Sequence, residues 1–384
     1  LVRSGDDSPT IRVTATIARE HDIAWSPDGA SLYFVSDSDG TESIYAATVV
    51  QTRGDLKKAL EPEEVAPAEE ADDTETDADE GEDVEQMEAG DDEEGEAASD
   101  DDAEGEKKKE EVKYGERWAD AIRFDIAPVV QTSFNDTRPM PSPDGKTLAF
   151  LRTRGDLMMM DMESGAERLY DASWDLWRDI EWSPDSRYLA WSVNDRDFNT
   201  DVWIAPADDA SAAVNISRHP DNDYAPRWSA DGKVFAFLSD RQNNEADVWV
   251  VFLDRDMESM SARELREYFK DAGEAAKKRE PLKIDDGEEG DDDGDDADNE
   301  ASLDLEDAYL RLRRVTSHPG DESSLFITPS GERVVFSQAN PDGGMVSVKW
   351  DGSEEKKLGD NGSLQQVSLT GDKVVFVRNG RAST

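Results

Sequence analysis

Cysteine is absent from all 384 residues, so neither a disulfide framework nor a thiolate metal site is available, and the chain tolerates either redox state. Histidine is scarce, at three residues, which leaves few bases for nucleophilic catalysis. No apolar run approaches the ~20 residues that a helix needs to span a bilayer. Basic residues are heavily outnumbered: 42 Lys and Arg against 92 Asp and Glu give a net charge of -50. The imbalance is local. Glu61 to Glu106 holds 25 acidic and no basic residues, and Asp285 to Glu300 holds 11 acidic and none basic, so two runs carry 36 of the 50 surplus charges and the other 322 residues about -14. Runs of this kind repel themselves and have no aromatics, so they read as two disordered insertions, an acidic one at 58–112 and a helical plus acidic one at 255–302. Their field disfavours nucleic acid and anionic membrane as partners.

What the sequence has in abundance is a repeat. A turn phrase recurs as Trp25-Ser-Pro-Asp-Gly29, Pro141-Ser-Pro-Asp-Gly145, Trp182-Ser-Pro-Asp-Ser186 and Trp228-Ser-Ala-Asp-Gly232, then as Ile327-Thr-Pro-Ser-Gly331 and Val367-Ser-Leu-Thr-Gly371. The last residues of these phrases are 116, 41, 46, 99 and 40 residues apart, so three intervals lie near 40 and two are stretched by the insertions. A period near 40 residues is that of one propeller blade. Pro sets φ for the second turn position, Asp tolerates the next, and Gly enters the left-handed region that returns the chain antiparallel. After each phrase comes a short β-branched and aromatic segment, such as Thr147-Leu-Ala-Phe-Leu-Arg152 or Val234-Phe-Ala-Phe-Leu-Ser239. A polar loop, a second apolar run and an outer strand follow, which makes four strands per unit.

The expected fold is therefore all-β: a β-propeller of four-stranded antiparallel blades, six- or seven-bladed, spanning 1–384 as one segment of a longer protein. Ile11 to Thr16 reads as an outer strand of a preceding or closing blade. The first acidic run is expected between blade one and the inner strand of blade two, and the second beyond the third strand of its blade. Ser261 to Lys270 has helical composition with Leu265, Tyr268 and Phe269 on one face.

The segment from Asn215-Ile-Ser-Arg-His-Pro220 through Trp228-Ser-Ala-Asp-Gly232 to Asp247-Val-Trp249 resembles the propeller repeat shared by tricorn-type proteases and TolB. The order of the other pieces sharpens the likeness: Thr137-Arg-Pro, Arg154-Gly-Asp-Leu157, Pro281-Leu-Lys-Ile284, Leu305-Glu-Asp307 and Arg313-Arg-Val-Thr-Ser-His-Pro319. Outside the acidic runs, nearly the whole chain resembles the propeller region of bacterial tricorn-like serine peptidases. That resemblance implies a noncatalytic propeller that gates or holds unfolded peptide, with PDZ and protease domains of the same chain beyond Thr384. It also makes a homo-oligomer and a cytoplasmic location expectations, with a periplasmic one left open. Two alternatives stand beside it, a TolB-like protein-binding scaffold and the propeller of a prolyl-oligopeptidase-type peptidase.

No Gly-x-Ser-x-Gly elbow is present, and His21, His219 and His318 read as loop residues, so no catalytic residue is assigned. No cofactor is expected. Glu289, Asp291, Asp293, Gly294 and Glu300 match EF-hand spacing, but Asp296 stands where an apolar residue belongs, so no metal site is assigned either. Trp25, Trp182 and Trp228 are expected in blade cores, as are Met158, Met159 and Met160. Asp201 and Asp247 with Arg196 and Arg241 read first as turn-stabilising ion pairs and second as a clamp for peptide carboxylates or carbonyls. On the second reading Arg152, Arg154, Arg196 and Arg241 are the peptide-binding candidates.

Overall fold

The computed structural model describes residues 11–60, 114–175, 178–279, 303–339, 343–360, 362–378 and 381–383. Each turn phrase joins the first and second strands of an antiparallel sheet, and the strands of every sheet follow one another in sequence order. Blade one comprises Glu20–Trp25, Ser31–Ser36, Ser43–Thr52 and Ala121–Val130. Blade two runs from Asp136–Pro141 to Glu167–Ala172, blade three from Arg178–Trp182 to Val214–Asn215, blade four from Asp223–Trp228 to Arg313–Arg314, and blade five from Glu322–Ile327 to Lys356–Gly359. A sixth sheet has three strands, Ser363–Val367, Val374–Arg378 and Arg381–Ser383. The architecture is that of a β-propeller.

The turn owes its recurrence to a side chain as much as to Pro and Gly. In blade four the Ser229 hydroxyl donates to Asp231 Oδ1 at 2.6 Å and accepts from Val234 N at 2.9 Å, while Lys233 N donates to the same carboxylate oxygen at 3.1 Å. Ser26, Ser142 and Ser183 repeat this network, and Thr328 and Ser368 likewise accept from the first residue of the following strand segment. The hydroxyl thus pairs a backbone N–H that the tight turn would otherwise leave unpaired. Ser186, which replaces Gly, takes up the left-handed conformation at φ 61°, and its hydroxyl accepts from Asp144 N of the preceding blade at 3.0 Å.

Cores form between blades rather than within them, because each sheet is apolar on both faces. Ala149, Leu151, Leu157 and Met159 of blade two meet Leu189, Trp191 and Ala205 of blade three. Ala190, Val202 and Ile204 of blade three meet Phe235, Phe237 and Val251 of blade four. Met158, Met159 and Met160 are all buried, as expected. Trp182 and Trp228 are half-buried and pack against the interblade cores, whereas Trp25 is 43% exposed and packs edge-to-face on Trp118 at 4.9 Å.

Two expectations about organisation change. The first insertion leaves blade one between its third and fourth strands, not between blades. It opens with α1 (Arg53–Leu60) and returns through α2 (Tyr114–Ala119). Ile11 to Thr16 forms no strand; Val13 instead packs with Leu32, Phe34, Tyr45 and Ala47 on the first face of blade one, which α2 also covers through Tyr114 and Trp118. In blade four the insertion leaves at the same place, after the third strand, through α3 (Asp256–Ser259) and α4 (Ala262–Lys277). A capping box between Ser261 and Glu264 starts α4, and its Leu265 and Phe269 are buried against blades four and five. The acidic stretches themselves, and the EF-hand-like spacing within the second, lie outside the described residues.

Candidate functional site

First strands lie beside one another in blades one and two and from blade three through six, which marks them as the inner strands around the axis. Each carries one extra residue relative to its partner strand, a β-bulge at a constant register. In five blades the bulge places a non-glycine residue in the left-handed region: Asp22, Arg138, Asp179, Ala225 and Ser324, at φ between 48° and 55°. Such a conformation costs on the order of 1 kcal/mol for a residue with a Cβ. Part of that cost is offset between blades. Asp22 Oδ2 accepts from Arg138 N at 3.3 Å, and Asp179 Oδ2 accepts from Ala225 N at 3.2 Å. Arg227 joins three blades at this axis, bonding Glu181 at 2.7 Å and Leu325 O at 2.9 Å while lying over the Phe326 ring.

The end of the propeller away from the turn phrases carries a second repeated arrangement, one at each blade junction. A buried acid near the junction is held by side-chain donors from the adjoining strands and linkers. At the first junction Asp136 accepts from Thr132 Oγ1 at 2.6 Å and from Arg152 Nε at 2.7 Å. At the second Asp175 takes Asn194 Nδ2 at 2.9 Å and Arg154 Nη2 at 3.0 Å. At the third Asp223 takes Arg241 Nη2 at 2.7 Å, while Ser217 Oγ bonds Asp201 at 2.9 Å. At the fourth Asp247 pairs with Arg314 at 2.6 Å, Thr316 Oγ1 reaches Asp247 at 3.4 Å, and Glu322 opens blade five.

Burial is what sets the electrostatics here. It pushes the carboxyls of Asp223 and Asp247 above the usual range, against the pull of Arg241 and Arg314 respectively. For Arg152 burial works to lower the pKa, but the hydrogen bonds of Asp136 and Glu167 outweigh it and hold the guanidinium above its ordinary value.

The four predicted arginines therefore separate. Arg152 and Arg241 are largely buried and committed to Asp136 and Asp223, with their guanidinium planes over Phe150 and Trp249. Arg154 bonds Asp175 yet stays 72% exposed, and Arg196 stands exposed at the Asp195 to Asn199 hairpin tip. The pairing read from sequence is corrected: Arg241 meets Asp223 rather than Asp247, whose partner is Arg314. The acids Asp136, Asp223 and Glu322 escaped the sequence reading, although each stands five residues ahead of its turn phrase. The bulge residues left no such mark, because Asp, Arg, Ala and Ser share no side-chain chemistry.

The histidines lie among carboxylates. His21 contacts Asp22 and Glu42, His219 contacts Asp221, and His318 contacts Glu355 at 2.8 Å. Between blades five and six a cleft of about 370 Å³ opens on the inner rim, walled by Ser323, Ser324, Ser337, Gly362 and Ser363.

Neither a protein-family model nor any curated protein matches the chain. Its neighbours among solved structures include TolB, tricorn protease and prolyl endopeptidase propeller domains, at low identity. A putative TolB from Agrobacterium tumefaciens is 18% identical with a TM-score of 0.43, over 66% of this chain and 73% of that one. The tricorn protease is 15% identical with a TM-score of 0.46, over 66% of this chain and 25% of its own. A puromycin-hydrolysing peptidase of Mycobacterium tuberculosis is 12% identical with a TM-score of 0.46, over 94% of this chain and 41% of its own. The chain thus spans a quarter of tricorn and about two-fifths of that peptidase. The likeness is one of fold.

Proposed function

We propose that this propeller handles unfolded polypeptide without cleaving it, as the noncatalytic domain of a tricorn-like serine peptidase whose PDZ and protease domains are supplied beyond Thr384. The observation that carries this reading is the inner rim. At five successive blades the ladder breaks at one register; the amides of Arg138 and Ala225 are spent on interblade bonds there, and the serine-walled cleft beside Ser324 supplies a sequence-tolerant hydrogen-bonding surface. Backbone amides and hydroxyls suit an extended chain of varied sequence, because they address its peptide groups rather than its side chains. Arg154 and Arg196 add exposed cations that reach carbonyls or a terminal carboxylate.

The test is binding of a fluorescently labelled, carboxymethylated unfolded protein to wild type and to the Arg154→Ala/Arg196→Ala variant. Arg196 is exposed and Arg154 is mostly exposed on its pair with Asp175, so the melting temperature should fall only slightly, while affinity measured well below it falls about ten-fold, the equivalent of ~1.4 kcal/mol. The same incubation should give only background hydrolysis. Equal affinity of the folded variant removes these arginines from the contact surface, and no binding by wild type removes the reading itself.

A further inference from the structure

The fourth junction lacks what the first three possess. Asp136, Asp175 and Asp223 each meet a guanidinium carried by their own blade or the one before it, from Arg152, Arg154 and Arg241. Glu322 opens blade five in the same way, yet its register partner, where Arg152 stands opposite Asp136, is Gln338. The next residues in sequence, Ala339 and Asn340, are not cationic either. Arg314 is the guanidinium that acts on Glu322, and it is engaged with Asp247 at 2.6 Å. Glu322 is 1% exposed, and among the described residues neither of its carboxyl oxygens makes a hydrogen bond of normal geometry. Gln338 Nε2, also buried, is in the same state.

One positive charge is therefore missing from a buried group of two acids and one guanidinium. Thr316 stands near Glu322, Tyr224 approaches from the inner strand of blade four, Asp321 precedes it and Glu245 acts on Asp247, so apart from Arg314 the groups acting most strongly here are acids and hydroxyls. A buried, unpaired carboxylate costs far more than a buried neutral acid.

We infer that Glu322 supplies the missing charge by holding a proton, and that the seam between blades four and five is tight while the proton is bound and loosened when it passes to solvent. Burial and the neighbouring Asp247 raise the Glu322 carboxyl to about 8, which agrees with the geometry. The sign follows directly. The folded value lies above the unfolded one, so the contribution to stability is complete below the ordinary range near 4.5 and is lost as pH rises through about 8. Ser323 and Ser324 follow Glu322 on the same strand, so loosening would reach the inner rim at the serine-walled cleft.

Thermal unfolding of the whole chain between pH 5 and 9 tests this, with wild type, Glu322→Gln and Gln338→Arg compared at each pH. Wild type should lose stability across this range more steeply than Glu322→Gln, which should melt at the higher temperature at pH 8. Gln338→Arg restores the cation found at the other junctions and should also flatten the profile. The protection factors of the Glu322–Ile327 amides, taken against the base-catalysed intrinsic rate at each pH, should fall from pH 6 to 9 in wild type and hold steady in Glu322→Gln. Parallel pH profiles for wild type and Glu322→Gln would overturn the inference. So would a rise in wild-type melting temperature with K⁺ or Ca²⁺ that Glu322→Gln lacks, since the occupant would then be an inorganic cation.

Discussion

Gly331 and Gly165 share a backbone and differ in surroundings, which separates two costs that are usually confounded. Both adopt the left-handed region, at φ 78° and 69°. A Cβ on Gly165 would meet nothing within 4 Å, whereas one on Gly331 would lie 2.8 Å from Val234 Cγ2 and 3.3 Å from Ser229 Cβ of the neighbouring blade. Gly165→Ala should therefore cost only the backbone term, ~1–2 kcal/mol. Gly331→Ala should add a clash against buried Val234 and reach about 2–4 kcal/mol. Denaturant midpoints of the two variants compare them directly, and equal losses would mean that the blade-five turn does not seat on blade four. The turn hydroxyls, five serines and Thr328, behave alike. Their identity was visible in all six phrases, but their role was not, since a buried hydroxyl serving the N–H five residues on is a property of the closed turn.

The elements were legible in proportion to how local their causes are. The second strands announce themselves as apolar runs after the turn, and α4 by the spacing of Leu265, Tyr268 and Phe269. The fourth strands of blades three and four are only two residues long, Val214–Asn215 and Arg313–Arg314, too short for any periodicity. Ile11 to Thr16 misled because alternation of Ile, Val and Thr marks strand propensity without supplying a partner; the first face of blade one is covered instead by Trp118 and Tyr114, which lie over a hundred residues away in sequence. The junction acids were missed for the same reason, as Asp223 gains meaning only once Arg241 and the blade fold it inward. Helix α4 offers the test at this scale. Phe269 is buried among Phe252, Tyr268 and Trp350, so Phe269→Ala should cost ~3–5 kcal/mol. Ser261→Ala removes one half of the capping box and should cost ~1 kcal/mol. Should both changes prove silent in equilibrium unfolding, α4 does not contribute to the stability of blades four and five.

At the scale of the whole molecule, charge and architecture occupy different residues. Most of the net charge of -50 belongs to two insertions whose described flanks leave their blades after a third strand. The base of the first insertion is closed by the blade itself: Arg53 N donates to Asp120 O at 2.9 Å, Gly54 N donates to Asp120 Oδ2 at 2.7 Å, and Trp118 Nε1 donates to Gly29 O at 2.9 Å. With the ends fixed at α1 and α2, a shorter connection between them changes the loop-closure entropy by less than about 1 kcal/mol for each halving of its length. Replacing Glu61 to Glu106 and Asp285 to Glu300 by short Gly/Ser linkers should therefore leave the melting temperature in place. Any rise should come from relieved self-repulsion and should be larger at 10 mM than at 500 mM salt, about 30 Å against about 4 Å of screening length. Differential scanning of the intact and trimmed chains at both salt concentrations decides it, and a fall of more than about 5 °C, on the order of 2 kcal/mol for a chain of this size, would mean that the acidic runs pack on the propeller.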